Sequence, residues 1–138
     1  MAEEVLSREE LPIAREDDVV FVRRRVRAIA SEQKLDSFAT AAVTTATSEL
    51  TRNVWVHARG GTAVIEQIRE GARVGMRVTF RDSGPGIADV ERVLRGGFST
   101  ARSMGLGLSG SRRLVDALTV ESEVGKGTTV TFVKWKAF

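Results

Sequence analysis

The clearest constraint on folding is the segment Arg73–Asp82, in which apolar and polar side chains alternate. A period of two predicts a β-strand with one buried face. The apolar residues of that face are Val74, Met76, Val78 and Phe80. Asp82 continues their parity at the end of the strand, and an ionised carboxylate directed at a buried face is costly unless a partner binds it. Asp82 is therefore the first candidate ligand contact.

Two helices are predicted before this strand, because apolar residues there recur every three or four positions. The first covers Glu16–Lys34, and the second runs from Asp36, which suits an N-cap, to about His57. The apolar stripe of the first helix is Val19, Val22, Val26 and Ile29. The stripe of the second helix is Phe38, Val43, Ala46, Leu50 and Val54. Both stripes are expected to pack in the core.

Glycine-rich turns divide the rest of the chain. A strand containing Val64 and Ile68 is expected to form a hairpin with Arg73–Asp82. The other predicted elements are a short helix at 89–94, a glycine-rich loop at 96–107, a helix at 108–118, and strands near 118–123 and 128–135. This order predicts an α+β fold, a two-layer α/β sandwich with helices on one face of a mixed, mostly antiparallel sheet. We expect 1–138 to form a single domain, because 138 residues is the size of one domain.

The composition removes several classes of chemistry. The absence of cysteine excludes disulfides, and with one histidine a zinc site is very hard to assemble. The net charge of +3 favours an anionic partner. The arginine run at 23–27 lacks interleaved aromatics, so we interpret it as a solvated face and expect no nucleic-acid binding. Since no stretch resembles a signal peptide or reaches the ~20 apolar residues of a membrane span, we expect a cytoplasmic protein without membrane contact.

Glu49 and Asn53 are four residues apart on the second predicted helix and therefore project from one face. An asparagine carbonyl oxygen suits Mg²⁺, which keeps several waters, and a glutamate can act as a base or bind through water. Polar pairs with this spacing are also common on solvated helix faces. That interpretation stays open for the pair taken alone.

Two glycine-rich segments indicate a nucleotide. Gly84 and Gly86 follow Asp82 and let the backbone approach a flat ligand, while the carboxylate can accept a hydrogen bond from an amine such as that of adenine. An ordinary strand-to-helix turn is the alternative. Gly105–Leu108 opens the next predicted helix, where free N–H groups favour phosphate. The G-x-G-x-x-G spelling at 105–110 is not a dinucleotide motif here, because polar residues precede it instead of a buried strand.

Four motifs together resemble those of the Bergerat-fold ATPases, the GHKL superfamily, in order and rough spacing over about 80 residues. They are Glu49 with Asn53, Asp82–Gly86, Gly105–Leu108 and Gly127–Thr128. The resemblance implies the Bergerat ATP-binding fold, with ATP and Mg²⁺ as ligands.

The resemblance also implies a role for each matched position. Asn53 resembles the Mg²⁺ ligand, Glu49 the base or water-orienting group, and Asp82 the adenine-binding carboxylate. Thr128 resembles the residue that supports adenine through water. The other implied nucleotide contacts are Gly84, Gly86 and Ile87 in the first loop, and Gly105, Leu106, Gly107 and Leu108 in the phosphate loop.

Within this superfamily, most of the chain is similar to the small serine/threonine kinases of bacterial partner-switching modules, the RsbT-type switch kinases of the stressosome. The matching runs are Ser48–Asn53, Gly84–Ile87, Gly97–Thr100 and Lys134–Lys136. Such kinases phosphorylate a serine or threonine of STAS-domain proteins and, when released, activate a PP2C-type phosphatase. The resemblance therefore implies an ATP-dependent protein kinase with these partners.

The segment 96–100 would then act as a mobile lid with glycine hinges and Phe98 as its anchor, and Ser99 and Thr100 would be among the nucleotide contacts. Arg95 and Arg102 are candidate phosphate contacts, with a solvated loop charge as the alternative. His57 is interpreted as a structural or surface residue.

Three other functions are considered. An anti-sigma factor would use the same ATP fold to sequester a transcription factor. A nucleotide-binding adaptor without transfer is disfavoured because Glu49 and Asn53 are both present. A basic nucleic-acid binder predicts salt-sensitive binding and no thermal stabilisation by MgATP. The sequence does not predict the oligomeric state or the phosphorylated residue.

Overall fold

A computed structural model describes residues 2–95 and 102–137, in which five strands form one sheet and helices cover one of its faces. The strands are β1 (Glu3–Ile13), β2 (Gly61–Glu70), β3 (Arg73–Asp82), β4 (Ala117–Glu123) and β5 (Gly127–Trp135). The helices are α1 (Asp18–Glu32), α2 (Ser37–Asn53), a π-helix (Val54–Ala58), α3 (Val90–Arg95) and α4 (Arg102–Leu114). The sheet order is β1-β2-β3-β5-β4, and all four neighbouring pairs are antiparallel. The predicted two-layer α+β architecture is confirmed.

The core lies between the sheet and the helices. Met76, Val78 and Phe80 of β3 are buried against the apolar faces of α1 and α2, as the alternating pattern predicts. The α1 stripe is buried throughout. In α2 the prediction is wrong for Phe38, whose side chain is 83% exposed. Five residues separate Phe38 from Val43, which rotates it about 140° away on a helix, and Ala39 takes the core-facing position instead.

The strand β1 was not predicted, because most of its residues are exposed and its sequence has no regular alternation of apolar and polar side chains. It is an edge strand that gains its structure by pairing with β2. Arginines of the neighbouring strands pair with its acidic side chains, Arg77 with Glu3 and Arg69 with Glu4. Charged side chains are typical of edge strands, since they oppose pairing with other chains. Strand pairing across 50 or more residues leaves no local sequence pattern to read.

Two helix boundaries differ from the prediction. The α-helical part of α2 ends at Asn53, and the chain continues as a π-helix to Ala58, closed by Arg59 at a φ of 61°. The helix predicted over 108–118 instead covers Arg102–Leu114. Packing of α4 against α2 overrides the low helix propensity of its glycines. Among the described helices, none has the length and apolar content needed to cross a bilayer.

Candidate nucleotide site

The carboxylate of Asp82 lies at the end of β3 and lines the same cavity as Phe80. Its Oδ1 atom accepts two backbone hydrogen bonds, from the N–H of Gly84 at 2.9 Å and from the N–H of Thr128 at 3.2 Å. These donors orient the carboxylate and offset part of the cost of its burial. Its Oδ2 atom accepts no hydrogen bond from the described residues. Asp82 therefore offers one oxygen to a ligand while the other holds the loop.

The loop after Asp82 is closely packed against its neighbours. A Cβ atom on Gly84 would lie 2.6 Å from the Cβ of Ala58 in the π-helix. Gly86 has a φ of +79°, and a Cβ there would lie 2.3 Å from the carbonyl oxygen of Glu123. A side chain at Gly84 would push the loop away from the π-helix, and one at Gly86 would push it away from β4. Both glycines thus act in loop packing, whereas Ile87 is buried and lines the cavity.

Ser122 connects the loop to Thr128 and was not among the predicted site residues. Its hydroxyl donates to the carbonyl oxygen of Gly127 at 3.0 Å and accepts the N–H of Ile87 at 2.7 Å. A serine hydroxyl has one hydrogen, so Thr128 must donate in the 2.8 Å contact between the two hydroxyls. The Oγ1 atom of Thr128 is then an acceptor for a further partner. Ser122 lies directly opposite Thr128 in the β4–β5 hairpin, and counting back from the turn was the available sequence signal.

The cavity beneath Asp82 has apolar walls and two polar corners. Its lining residues are Leu50, Asn53, Val54, Phe80, Asp82, Ile87, Leu108, Thr128 and Val130. The volume of about 20 Å³ accommodates roughly one water molecule. A purine ring therefore enters only if the walls move apart. The walls come from α2, β3, β5 and α4, so nucleotide binding is expected to shift these elements relative to one another.

Asn53 ends α2 beside α4. Its side-chain nitrogen, Nδ2, is buried without a hydrogen-bond partner among the described residues. A Cβ on Gly107 would lie 2.9 Å from this nitrogen and 3.4 Å from Oδ1. The glycine thus leaves room for the amide. An unpartnered amide fits an oxygen ligand for Mg²⁺, because the two ends of an asparagine amide exchange by rotation.

Glu49 lies one turn before Asn53 on α2, as the spacing predicts. Its side chain is 43% exposed, and Oε1 is 3.3 Å from a guanidinium nitrogen of Arg52. This exposed pair leaves the second carboxylate oxygen open to solvent-borne partners. Arg52 is a neighbour that sequence reasoning did not include. Among the described residues, no three His, Cys, Asp or Glu side chains form a metal-binding group.

The predicted phosphate loop takes a different form. The backbone of Gly105, Leu106, Gly107 and Leu108 lies inside α4 and not in a loop before it. Since only the first four N–H groups of a helix lack internal partners, the N–H groups of Gly107 and Leu108 are used within the helix. Leu108 is buried and lines the cavity beneath Asp82. In this conformation α4 does not form the predicted cradle of N–H groups.

Several predicted contacts lie outside the described residues. These are Ser99 and Thr100 with the rest of the lid at 96–100, and the side chain of Arg102. Arg95 ends α3 and is exposed.

His57 lies near Asp82 and is not among the residues that line the cavity. It belongs to the π-helix that packs against the Asp82 loop, and its Nε2 atom is buried without a partner among the described residues. Burial lowers the pKa of the imidazole, and the nearby carboxylate of Asp82 opposes this only in part. The side chain is therefore neutral at pH 7. π-helical turns recur at functional sites, and this one joins the Asn53 end of α2 to the sheet.

The fold and this site define the class of the protein. The chain belongs to the histidine kinase-like ATPase domain family, whose model matches residues 11–134.

Relatives within that class are similar over most of their length. The serine/threonine-protein kinase RsbT of Bacillus subtilis is 38% identical over 123 residues, which cover 89% of this chain and 92% of that protein. The anti-sigma F factor of Geobacillus stearothermophilus is 30% identical over 129 residues, covering 88% and 86%. The anti-sigma F factor of Thermoanaerobacter sp. is 31% identical over 121 residues, covering 83% of each chain. The superfamily resemblance drawn from the motifs is confirmed.

Proposed function

We propose that the protein is an ATP-dependent serine/threonine kinase of a bacterial partner-switching module. The observation that carries the proposal is the Asp82 carboxylate, which lines an apolar cavity. Two backbone N–H groups hold its first oxygen, and its second oxygen accepts no hydrogen bond from the described residues. The exocyclic amine of adenine would donate to that oxygen. Thr128 would accept a hydrogen bond from a water that also contacts the base. An acceptor on an apolar wall selects a ring that carries a donor.

The phosphate end of the nucleotide would extend toward Asn53, at the other side of the cavity. Mg²⁺ bound with the nucleotide would neutralise charge on the phosphates. The Asn53 amide oxygen would hold and orient that ion, with Gly107 providing the space. Adenine can enter only if the cavity walls move apart, and this movement would also displace α4. The first residues of α4 supply free N–H groups.

Glu49 would act as the base. The hydroxyl oxygen of the partner's serine or threonine forms a bond to the γ-phosphorus as the bond to the β-γ bridging oxygen breaks. The hydroxyl proton passes to the Glu49 carboxylate, and ADP leaves with the bridging oxygen. Glu49 is exposed on the helix face next to Asn53, so a protein-borne hydroxyl can reach it. Positioning and charge neutralisation supply most of the catalysis in such transfers.

The partner classes are those that the motif resemblance implies. We infer STAS-domain proteins as substrates and a PP2C-type phosphatase as the protein activated by the released kinase. The printed name of the Bacillus subtilis relative, a serine/threonine-protein kinase, supports the reaction type. We further propose that 1–138 acts as a single ATP-binding domain in the cytoplasm, with Ser99 and Thr100 of the lid at 96–100 contributing to nucleotide binding.

The test is a transfer assay with γ-labelled ATP against purified STAS-domain proteins, with and without Mg²⁺. Glu49→Gln is expected to reduce transfer by about 10²- to 10⁴-fold, the usual contribution of a general base. ADP should still raise the melting temperature of this variant, since Glu49 is not assigned to nucleotide binding. Glu121→Gln, on an exposed position of β4, is the matched control. Full transfer by Glu49→Gln would refute its role, and no stabilisation of the wild type by ADP would refute nucleotide binding.

A second candidate is an anti-sigma factor. Relatives that are 30% and 31% identical carry that name, so the fold is used for sequestration as well as for transfer. The two functions differ in a direct experiment. If the protein is an anti-sigma factor, we expect it to form a stable complex with a sigma factor, whereas we expect none of the proposed kinase.

A further inference from the structure

A groove of about 650 Å³ lies at the end of the sheet where β3 begins and β5 ends. We call it the distal groove, since the candidate nucleotide site lies at the other end of the same two strands. Its main lining residues are Phe38, Arg73, Asp116, Lys134, Trp135 and Lys136. The groove includes the Lys134–Lys136 segment, which the proposed kinase reaction does not use.

Trp135 forms a rigid wall of the distal groove. The guanidinium carbon of Arg73 lies 3.8 Å from the centroid of its ring, within the range of a cation–π contact. A Cβ on Gly75 would lie 2.8 Å from the ring atom Cε3, so the absence of a side chain at this position lets the indole rest on β3. The backbone N–H of Trp135 also donates to Asp116 at 2.6 Å. A preorganised aromatic wall reduces the entropy lost on binding.

Phe38 supplies an exposed apolar side chain to the same groove. It lies in the first turn of α2 and is 83% exposed, the largest exposure among the large apolar side chains of the described residues. Single exposed apolar residues are common on protein surfaces. Phe38, however, borders the same groove as Trp135, so an apolar side chain of a ligand can contact both rings.

Three of the five charged side chains that line the groove are basic, and two of these three are already paired. Lys134 is paired with Asp116 at 3.7 Å, and Arg73 donates to Glu70 at 3.0 Å. Lys136 has no ion pair among the described residues. The carboxylate of Asp36 accepts the N–H of Ala39 and so serves as the N-cap of α2.

We propose that the distal groove binds an acidic segment of a partner protein. An apolar side chain of that segment packs between Phe38 and Trp135, and flanking carboxylates pair with Arg73 and Lys136. Arg73 offers further N–H groups beyond the one that contacts Glu70, and its planar guanidinium suits a carboxylate. Lys136, which has no ion pair among the described residues, favours a carboxylate-bearing segment over a basic one.

The position of the groove gives the interaction a consequence. Arg73 and Asp82 are the two ends of β3, nine residues apart, which corresponds to about 30 Å along a strand. A partner segment at the distal groove leaves the candidate nucleotide site uncovered. The protein can thus hold one partner while a second one reaches Glu49 and Asn53. This proposal does not depend on nucleotide binding or on phosphoryl transfer.

The test uses the emission of Trp135 in the full chain. Trp55 is the other tryptophan, so Trp55→Phe leaves Trp135 as the single reporter. The probe is a short synthetic peptide with glutamates on both sides of two leucines. We expect it to change the emission and to bind at least about tenfold more weakly to Lys136→Glu, because the charge reversal replaces attraction with repulsion. Phe38→Ser should weaken binding by a similar factor, since it removes the apolar contact.

Matched controls lie at the other end of the molecule. Lys126→Glu and Val124→Ser are exposed changes in the β4–β5 turn and should leave peptide affinity unchanged. All four variants should keep the wild-type melting temperature to within a few degrees, because the altered side chains are exposed or half-buried.

Four results would overturn the proposal. The first is that the wild type, Lys136→Glu and Phe38→Ser bind the peptide with equal affinity, and the second is that a peptide with glutamines in place of the glutamates binds equally well. The third is that the groove binds an oligothymidylate more tightly than the peptide. The fourth is that the protein self-associates and that Phe38→Ser abolishes this self-association.

Discussion

The substitution Asp82→Asn separates the two tasks assigned to this side chain. In the wild type, Oδ1 accepts the N–H groups of Gly84 and Thr128, and Oδ2 accepts none from the described residues. Asparagine keeps an Oδ1 acceptor in the same place, so both backbone bonds can persist, although they lose the assistance of the charge. It replaces Oδ2 with an NH₂ group, which is a donor. The amine of adenine would then face a donor instead of an acceptor.

The expected magnitudes follow from these bonds. Losing one hydrogen bond to a charged group costs about 1.5–3 kcal/mol, so the Kd for ADP should rise by roughly 10- to 100-fold. The free energy of unfolding should fall by only about 1 kcal/mol, because the two backbone donors stay paired. Asp82→Ala removes the acceptor of both donors and should cost more, about 2 kcal/mol or above.

Isothermal titration calorimetry with ADP measures the binding change, and urea unfolding without nucleotide measures the stability change. Asp89→Asn is the matched control, since its carboxylate accepts one backbone N–H, from Arg92 at 3.1 Å, and is exposed. An Asp82→Asn variant that binds ADP as tightly as the wild type contradicts the assignment of Oδ2 to the base. A loss of stability equal to that of Asp82→Ala contradicts the assignment of Oδ1 to the loop.

Three further predictions test the surroundings of the site. In urea unfolding, Gly127→Ala should lower the free energy of unfolding by about 3 kcal/mol or more, and Gly125→Ala by only about 1 kcal/mol. Both glycines have positive φ, but only at Gly127 would a Cβ lie 2.1 Å from the carbonyl oxygen of Asp82, so equal costs would contradict this reasoning. Burial lowers the pKa of His57 from 6.5, so the unfolded chain binds the proton more tightly and the protein's stability should fall as the pH drops below that value. In thermal unfolding, His57→Gln should lack this part of the pH dependence of stability. Arg25 lowers the pKa of Glu9 through hydrogen bonds of 2.8 and 2.9 Å, so Glu9→Gln should lower the free energy of unfolding by up to about 1 kcal/mol at pH 7. This difference from wild type should shrink as the pH falls below 4.5, and a pH-independent difference would exclude the ion pair as its cause.

Local patterns predicted the elements that have one buried face. The period of two in β3 identified both the buried side chains and the side to which Asp82 points. The spacing of Glu49 and Asn53 likewise identified one helix face. The prediction that Phe38 is buried was wrong, because it relied on the hydrophobicity of the side chain and not on its angular position around the helix.

Other features depend on contacts between distant segments. Ser122 reaches Ile87 across 35 positions of the sequence, and its role follows from three hydrogen bonds that no single segment contains. The π-helix at Val54–Ala58 and the burial of the His57 nitrogen depend on the packing of that turn against the Asp82 loop. The glycines at 105 and 107 predicted a loop, since glycine has a low helix propensity. They lie in α4 instead, because packing against α2 contributes more than this local preference.

The sequence by itself determined the order of helices and strands from α1 onward, the parity of Asp82 and the four motifs that indicate a nucleotide. Each of these features depends on residues close together along the chain. Only the tertiary structure decided that β1 forms one edge of the sheet and that Phe38 and Trp135 border one groove. It also decided that Thr128 donates to Ser122, which leaves the Thr128 oxygen as an acceptor. The physical reason is the range of the interactions. Periodicity records burial within one element, whereas hydrogen-bond partners and surface grooves arise where separate elements meet.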